Sequence, residues 1–270
     1  MVETKIAKPF LRWAGGKRWL KNEIDELVNI NNYESYHEPF VGGGAILFHL
    51  KPTNAFISDA NKELIDTYLA IKDNPSKVIE NLKKFKRDKE SYYIIRAENF
   101  KDNFKKAAQF IYLNQMSFNG IYRVNANGGY NVPYGNREKY DFDYDNIILV
   151  SEFLQNITIQ HCDFQDSLNN VRENDLVFLD PPYTIAHNLN GFVQYNQKIF
   201  SLEDQYRLTD AIDQIKQIGA NYILTNAAHA KVKEIFDKEN DTILEVSRAS
   251  VVGGRNSTRG QYSEYLFTNL

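Results

Sequence analysis

The feature that most restricts this chain is "NDLVFLDPPY", residues 174–183, where an unbroken apolar run meets an acid and two prolines. Leu176, Val177, Phe178 and Leu179 leave no polar face. The run therefore predicts a strand covered on both sides, the kind that lies inside a parallel sheet. Pro181 and Pro182 cannot continue a hydrogen-bonded ladder, and they hold their carbonyls in set directions. Asp180 and Tyr183 are thereby expected at the carboxyl end of a strand, the edge at which open α/β sheets take their ligands.

Other strand–helix alternations surround it. "SYHEPFVGGGAILFHL" predicts a strand, a glycine turn and a helix, and "NAFISDANKELIDTYLAI" a second strand ending at Asp59, then another helix. From about 60 to 145 the alternation lapses into mainly helical sequence that ends in "IYRVNANGGYNVPYG". Asn127-Gly128, between two short strand-like runs, is a strong hairpin signal. Alternation resumes with "ITIQHCDF" and the 176–179 strand. Ser201 and Asp204 then form a capping-box pattern that opens a helix. "ANYILTN" and "DTILEVSRASVV" complete the expected strands. The pattern predicts a doubly wound α/β sheet interrupted by a helical insertion that carries a β-hairpin.

Composition narrows the function classes. The 270 residues suit one domain with a sizeable insertion, and 43% hydrophobic and 25% charged residues are ordinary for a soluble protein. No apolar run is long enough to span a bilayer, and "MVETKIAKPF" lacks the apolar core of a signal peptide, so an intracellular, cytoplasmic protein is expected. The single cysteine, Cys162, excludes an internal disulfide and a cysteine-cluster metal site. With a net charge of −3, nothing global announces a nucleic acid. Positive charge is local instead, in "KPFLRWAGGKRWLK" and in the basic-aromatic tract "NLKKFKRDKESYYIIRAENFKDNFKK". The second tract is equally well explained as a solvated helix face. Thirteen per cent aromatic content suits base stacking but also suits a packed core.

The glycine turn "PFVGGGAI" supplies G-x-G through Gly42 and Gly44, but Leu47 stands where a dinucleotide fingerprint needs its third glycine. Asp59, seventeen residues beyond Gly42, can accept hydrogen bonds from ribose hydroxyls. Together they suggest an adenosine cofactor other than NAD. At the second edge, the Asp180 carboxylate and the Pro181 carbonyl are both acceptors, able to hold the two hydrogens of a planar amino group, while Tyr183 stacks on its ring. Such an amine is a poor nucleophile because its lone pair is delocalised. Acceptors on both hydrogens favour a pyramidal nitrogen aimed at an electrophile, and placement supplies much of the rest.

These motifs, in order, resemble the Dam family of DNA adenine methyltransferases, which includes the methylases of GATC restriction systems. "FLRWAGGKRWL", "PFVGGGAI", "ISDAN", "LNQMSFNGIYR", "NVPYG", "CDF", "FLDPPY" and "GGRNSTRGQYSEYLFTN" follow the family order over nearly the whole chain. The resemblance implies a Rossmann-like S-adenosylmethionine-dependent methyltransferase sheet, with residues 1–60 and 146–270 catalytic and 61–145 the target-recognition insertion. It implies S-adenosylmethionine contacts at Trp13, Lys17, Phe40, Asp59 and Asp180, a loop shaped by Gly42, Gly43 and Gly44, and cofactor adenine contacts at Asp163 and Phe164. On sequence alone, Trp13 is better explained as a core residue and Lys17 could be an ordinary surface lysine; the resemblance, not the spacing, overrides both readings. Ala14-Gly15-Gly16 between them points to a loop rather than a helix.

The resemblance further implies methylation of an adenine extruded from double-stranded DNA into a corner formed by Asp180, Pro181, Pro182 and Tyr183. Phe118 and Asn119 would fill the gap left in the stack. Arg12, Ile121, Arg123 and Pro133 would contact bases, with GATC as the site. A cognate restriction endonuclease is a partner it allows, with no metal and a monomer or weak dimer expected. Two rivals stand beside this: an amine methylase of ribosomal RNA, for which the hairpin-bearing insertion has no use, and a silent DNA-binding regulator, against which the intact Asp180 and Tyr183 speak. The stretch "NREKYDFDYDN" has no account in these terms.

Overall fold

The computed structural model describes residues 5–125, 128–183, 200–249 and 261–270. Strands β1 (Tyr36–Glu38), β2 (Ala55–Asp59), β3 (Ile157–His161), β4 (Leu176–Leu179), β5 (Asn221–Ala227), β6 (Thr242–Ala249) and β7 (Gln261–Thr268) form a seven-stranded sheet in the order β3-β2-β1-β4-β5-β7-β6. β1, β2, β4 and β5 run parallel, with Tyr36 opposite both Ala55 and Leu176, and Leu176 opposite Asn221. The helices are α1 (Lys21–Leu27), α2 (Leu47–Leu50), α3 (Lys62–Asp73), α4 (Pro75–Lys83), α5 (Lys89–Ala97), α6 (Asn103–Met116), α7 (Tyr144–Leu154), α8 (Phe164–Leu168), α9 (Leu202–Ile218) and α10 (Ala230–Phe236). The result is a mixed α/β fold, with a largely parallel sheet whose last two neighbours, β7 and β6, are antiparallel.

Local chemistry explains where these elements begin. Asn61, Asn74, Asp88, Asp102 and Asp143 each accept a backbone N–H from the first turn of α3, α4, α5, α6 and α7. Ser201 and Asp204 make the expected capping box at α9, and Gly219 ends that helix at φ 84°. All four residues of β4 are buried. One difference from the sequence expectation concerns β7. The run "QYSEYLFT" is the last strand in sequence, antiparallel to its neighbours and inserted between β5 and β6, so β6 is left at the edge of the sheet.

The described residues form two compact units, the first comprising 1–18, 41–53 and 58–161, the second 19–40, 54–57 and 162–270. These limits differ from the boundaries at 61 and 145 expected above. In the first unit, amide side chains latch the segment 8–12. Asn146 pairs with both the N–H and the carbonyl of Lys8, at 2.9 and 3.0 Å. Gln115 donates to Phe10 O at 2.7 Å, and Asn114 pairs with the N–H and carbonyl of Arg12 at 2.9 and 2.8 Å. The backbone hydrogen-bonding demands of this irregular segment are thus met by side chains on α6 and α7. The stretch "NREKYDFDYDN" now has a role: Phe142 is buried against Tyr112, Tyr140 and Tyr144, and Arg87 pairs with Asp141 at 2.9 Å.

The core of the second unit gathers Val177 and Leu179 of β4 with Tyr222 and Leu224 of β5, Leu208 and Ile212 of α9, and Phe236 and Phe267. The His37 imidazole of β1 stacks on Phe56, ring centroids 4.9 Å apart. Its Nε2 donates to Asp175 Oδ2 at 2.9 Å, and its Nδ1 has no hydrogen-bond partner among the described residues. Burial holds this imidazole below its ordinary pKa, against the opposing pull of Asp175. A depressed folded-state value means the neutral ring's contribution is complete above about pH 6.5 and is lost as pH falls through the folded value. Stability measured by urea unfolding is expected to decline on acidification below that point, with a shallower decline in His37→Gln, which keeps a donor toward Asp175 but does not titrate.

Candidate active site

The first unit holds the glycine turn. The chain leaves β1, and Gly42 and Gly44 adopt φ 47° and 67°, conformations that disfavour any residue with a Cβ. Val41 N bonds Ser58 O at 3.0 Å, tying the loop to the end of β2. The Asp59 carboxylate spans the turn, accepting from Gly42 N at 3.0 Å and from Asn61 N at 2.9 Å. Burial raises its pKa, and the two backbone donors oppose that rise. Each carboxylate oxygen carries two lone pairs, so a ribose hydroxyl can still be bound there. Tyr68 OH donates to Gly42 O at 3.1 Å, a support absent from the sequence expectations.

Trp13 lies on this loop. A Cβ at Gly42 would come within 2.6 Å of Trp13 Cδ1, and one at Gly43 within 3.0 Å of Trp13 Cβ. The indole stacks on Tyr122 at 5.5 Å and on Phe110 at 6.5 Å, so it is part core and part loop wall. Ala14 and Gly15 form a turn, as expected, with Gly15 at φ 79°. Lys17 is not a surface lysine: it is 2% exposed, and its ammonium donates to Gly15 O at 2.8 Å. A pocket of about 210 Å³ opens here, lined by Leu11, Arg12, Trp13, Gly16, Arg18 and Gly43 among others.

The same unit brings together the residues expected to meet DNA. A 3-10 turn, Phe118–Gly120, places Asn119 and Gly120 both at positive φ, 58° and 63°. Phe118 is 56% exposed although large and apolar, and its N–H bonds Pro133 O at 2.9 Å. The Ser117–Tyr134 and Val124–Tyr130 bridges pair the two arms where the hairpin is expected; Asn127 lies outside the described residues. Ile121 and Pro133 sit on these arms, and Tyr130 OH donates to Ile121 O at 2.8 Å. The exposed Arg123 is steadied by Asn131, with Nε to Oδ1 at 2.8 Å. A Cβ at Gly120 would run into Arg12, so Arg12 lies along this turn. Partial desolvation and the like charge of Arg137 lower the Arg12 pKa. Arg137 has no counterpart in the sequence expectations.

The second unit holds the Asp-Pro-Pro-Tyr corner. Asp180 follows β4 directly, and its Oδ1 accepts from Thr225 Oγ1 of β5 at 2.7 Å. Pro181 is buried and Pro182 partly so. Tyr183 OH donates to Glu264 Oε2 of β7 at 2.6 Å. Burial, with the charges of Asp180 and Glu264, holds the phenol well above its ordinary pKa, so it stays protonated. Phe40, Phe164 and Phe200 form an aromatic cluster with centroids 5.4 to 5.9 Å apart. Asp163 caps α8 through Gln165 N and pairs with Arg207 at 2.7 Å, and that guanidinium lies over the Phe164 ring. Asp163 is therefore engaged within the protein. Thr225, Glu264 and Arg207 were not anticipated, because each acts through a partner distant in sequence.

Among the described residues no group of three or more His, Cys, Asp or Glu is arranged to hold a metal, and no helix is long and apolar enough to cross a membrane. Residues 13–251 match the model of the D12 class N6 adenine-specific DNA methyltransferases. The chain is 36% identical to the type II methyltransferase M1.LlaDCHI of Lactococcus lactis subsp. cremoris, over 97% of this chain and 95% of that protein. It shares 36% identity with the type II methyltransferase M.MjaIII of Methanocaldococcus jannaschii, over 82% and 84%. With the DNA adenine methylase of Escherichia coli K12 it shares 27%, over 97% and 95%.

Gly42→Ala is expected to cost roughly 1–2 kcal/mol for its left-handed backbone alone, plus the collision with Trp13. Denaturant unfolding should show that the cost shrinks in a Trp13→Ala background. An equal cost in both backgrounds would mean that the indole does not press on this turn.

Proposed function

The chain belongs to the D12 class N6 adenine-specific DNA methyltransferase family, and from that premise we propose that it moves the methyl of S-adenosylmethionine to an adenine extruded from duplex DNA, within GATC. The observation that carries the assignment of residues is the Asp180–Tyr183 corner, where one carboxylate and one aromatic ring are each held by a buried partner at 2.7 and 2.6 Å. Bound S-adenosylmethionine supplies an electrophilic sulfonium methyl. The residues present suit such a group: a turn with Gly42 and Gly44 at left-handed φ, which side chains disfavour, and the Asp59 carboxylate accepting from Gly42 N. Gly42, Gly43, Gly44, Asp59, Trp13 and Lys17 are proposed to hold it, with Phe40, Asp163 and Phe164 about its adenine ring. Because Asp163 is already paired with Arg207, its part would be to orient that segment.

At the target, the Asp180 carboxylate and the Pro181 carbonyl accept the two amine hydrogens, and Tyr183 stacks on the purine. Pro182 keeps the corner rigid. Holding both hydrogens localises the nitrogen lone pair, and the corner's main contribution is position. Alkylation makes the nitrogen acidic, so its proton leaves without a strong base. Extrusion costs on the order of a few kcal/mol. Phe118, apolar yet 56% exposed on a rigid turn, suits insertion into the vacated stack, with Asn119 beside it.

We take residues 61–145 as the recognition insertion. Arg123 has the donor fork for guanine, and Asn131 pre-orients it. Ile121 and Pro133 offer apolar contacts, and Arg12 a second cation. Both type II methyltransferases share more identity with this chain than the E. coli DNA adenine methylase does, which favours a cytoplasmic enzyme with a cognate restriction endonuclease.

Purified protein and labelled donor should methylate unmethylated plasmid and change its cleavage by nucleases sensitive to adenine methylation in GATC. Asp180→Ala is expected to abolish transfer while DNA affinity persists; normal turnover would end the assignment. Substituting Arg123 with alanine should weaken discrimination at the outer guanine by about 1–3 kcal/mol, read from competition between cognate and singly altered duplexes. Unchanged selectivity would remove Arg123 from the reader.

A further inference from the structure

Two buried polar residues of the second unit stand behind the Asp-Pro-Pro-Tyr run without belonging to it. Thr225 is fully buried near the carboxyl end of β5, and its hydroxyl donates to Asp180 Oδ1 at 2.7 Å. Glu264 is 3% exposed on β7 and accepts from Tyr183 OH at 2.6 Å. The antiparallel pairing sets Glu264, in the middle of β7, opposite Ala227, the last residue of β5. The reversal of direction brings Glu264, rather than the last residues of the chain, toward the edge where β4 ends.

Neither residue is what packing alone would select. Glu264 shares a strand face with Leu266, which is fully buried, and a carboxylate taken out of water is costly unless it is hydrogen-bonded. A leucine there would extend the apolar face without that cost. The torsions that matter are soft ones. A carboxylate turns about its last bond over a broad two-fold well, and a tyrosine ring's long axis swings with the torsion about its Cα–Cβ bond, carrying the hydroxyl at its far end. One hydrogen bond on Asp180 Oδ1 sets the plane of that carboxylate. One on the Tyr183 hydroxyl sets the ring's direction. The charge-assisted character of both makes them stronger than neutral hydrogen bonds.

We propose that Thr225 and Glu264 are positioning residues for methyl transfer, Thr225 acting through Asp180 and Glu264 through Tyr183. The proposal rests on the function assigned above to Asp180 and Tyr183. It extends the working site from a four-residue run to a network whose two further members come from β5 and β7. Single-turnover transfer of labelled methyl to unmethylated plasmid, the KM for that DNA and the urea unfolding midpoint would be measured for each variant. Thr225→Val is nearly isosteric and is expected to slow transfer roughly ten- to hundredfold with the KM for DNA little changed, whereas Thr225→Ser, which keeps the hydroxyl, should retain most of the rate. Glu264→Leu should behave like Thr225→Val, and Glu264→Gln, which keeps an acceptor, should be partly restored. In a Tyr183→Phe background, Glu264→Gln should add no further loss.

Thr225→Val and Glu264→Leu working at the wild-type rate while Asp180→Ala is inactive would overturn the positioning roles and leave the function of the corner intact. An active Asp180→Ala would overturn both. If Glu264→Leu does not fold, the double-variant comparison decides: a loss that persists undiminished in Tyr183→Phe makes Glu264 a structural residue only and overturns its half of the proposal.

Discussion

The burial of β4 on both faces is the constraint from which the rest follows. A strand with no polar face can expose function only where it ends. Its parallel neighbours β1 and β5 are largely buried as well, though not purely apolar. Glu38 closes β1, Asp59 closes β2, Asp180 follows β4, and Thr225 stands near the end of β5. Polar chemistry is thereby concentrated at strand ends, on short segments anchored by a rigid sheet. Prolines at 181 and 182 remove the backbone freedom that would otherwise remain at such an end.

A second theme is substitution of side-chain amides for backbone pairing. Among the described residues no strand pairs with the segment 8–12, yet Asn114, Gln115 and Asn146 meet hydrogen-bonding groups of its backbone. An amide carries both a donor and an acceptor, so one side chain can satisfy the N–H and the carbonyl of a single residue. The latch fixes Arg12 and Trp13 without making them part of a sheet. Asn114 also reaches Gly120 O at 3.4 Å, which links the latched segment to the Phe118–Gly120 turn. The glycine at 120 is required twice over, by its positive φ and by the Arg12 side chain lying against it.

Much of this was legible in the amino-acid order. The apolar run 176–179, the strand ending at Asp59, the Ser201–Asp204 cap and the 124–130 hairpin are local patterns, set by residues near one another in sequence. The family resemblance rested on the same kind of signal and agrees with the match over residues 13–251. What escaped was non-local. Lys17 sits in a glycine-rich stretch that suggests exposure, and its burial depends on how that stretch folds back. The run that becomes β7 does not alternate cleanly, and nothing in it specifies insertion between β5 and β6 or a reversed direction.

The sequence by itself determined the parallel α/β core, the glycine turn, the Asp-Pro-Pro-Tyr corner and the family, because backbone geometry and burial pattern are written in short windows. Tertiary structure alone decided that Thr225 holds Asp180, that Glu264 holds Tyr183, and that Trp13 lies on Gly42. Each of those pairs is separated by between 29 and 81 residues. The physical reason is the same in all three: a hydrogen bond or a ring contact requires atoms a few ångströms apart, and only the folded sheet and its loops set that distance.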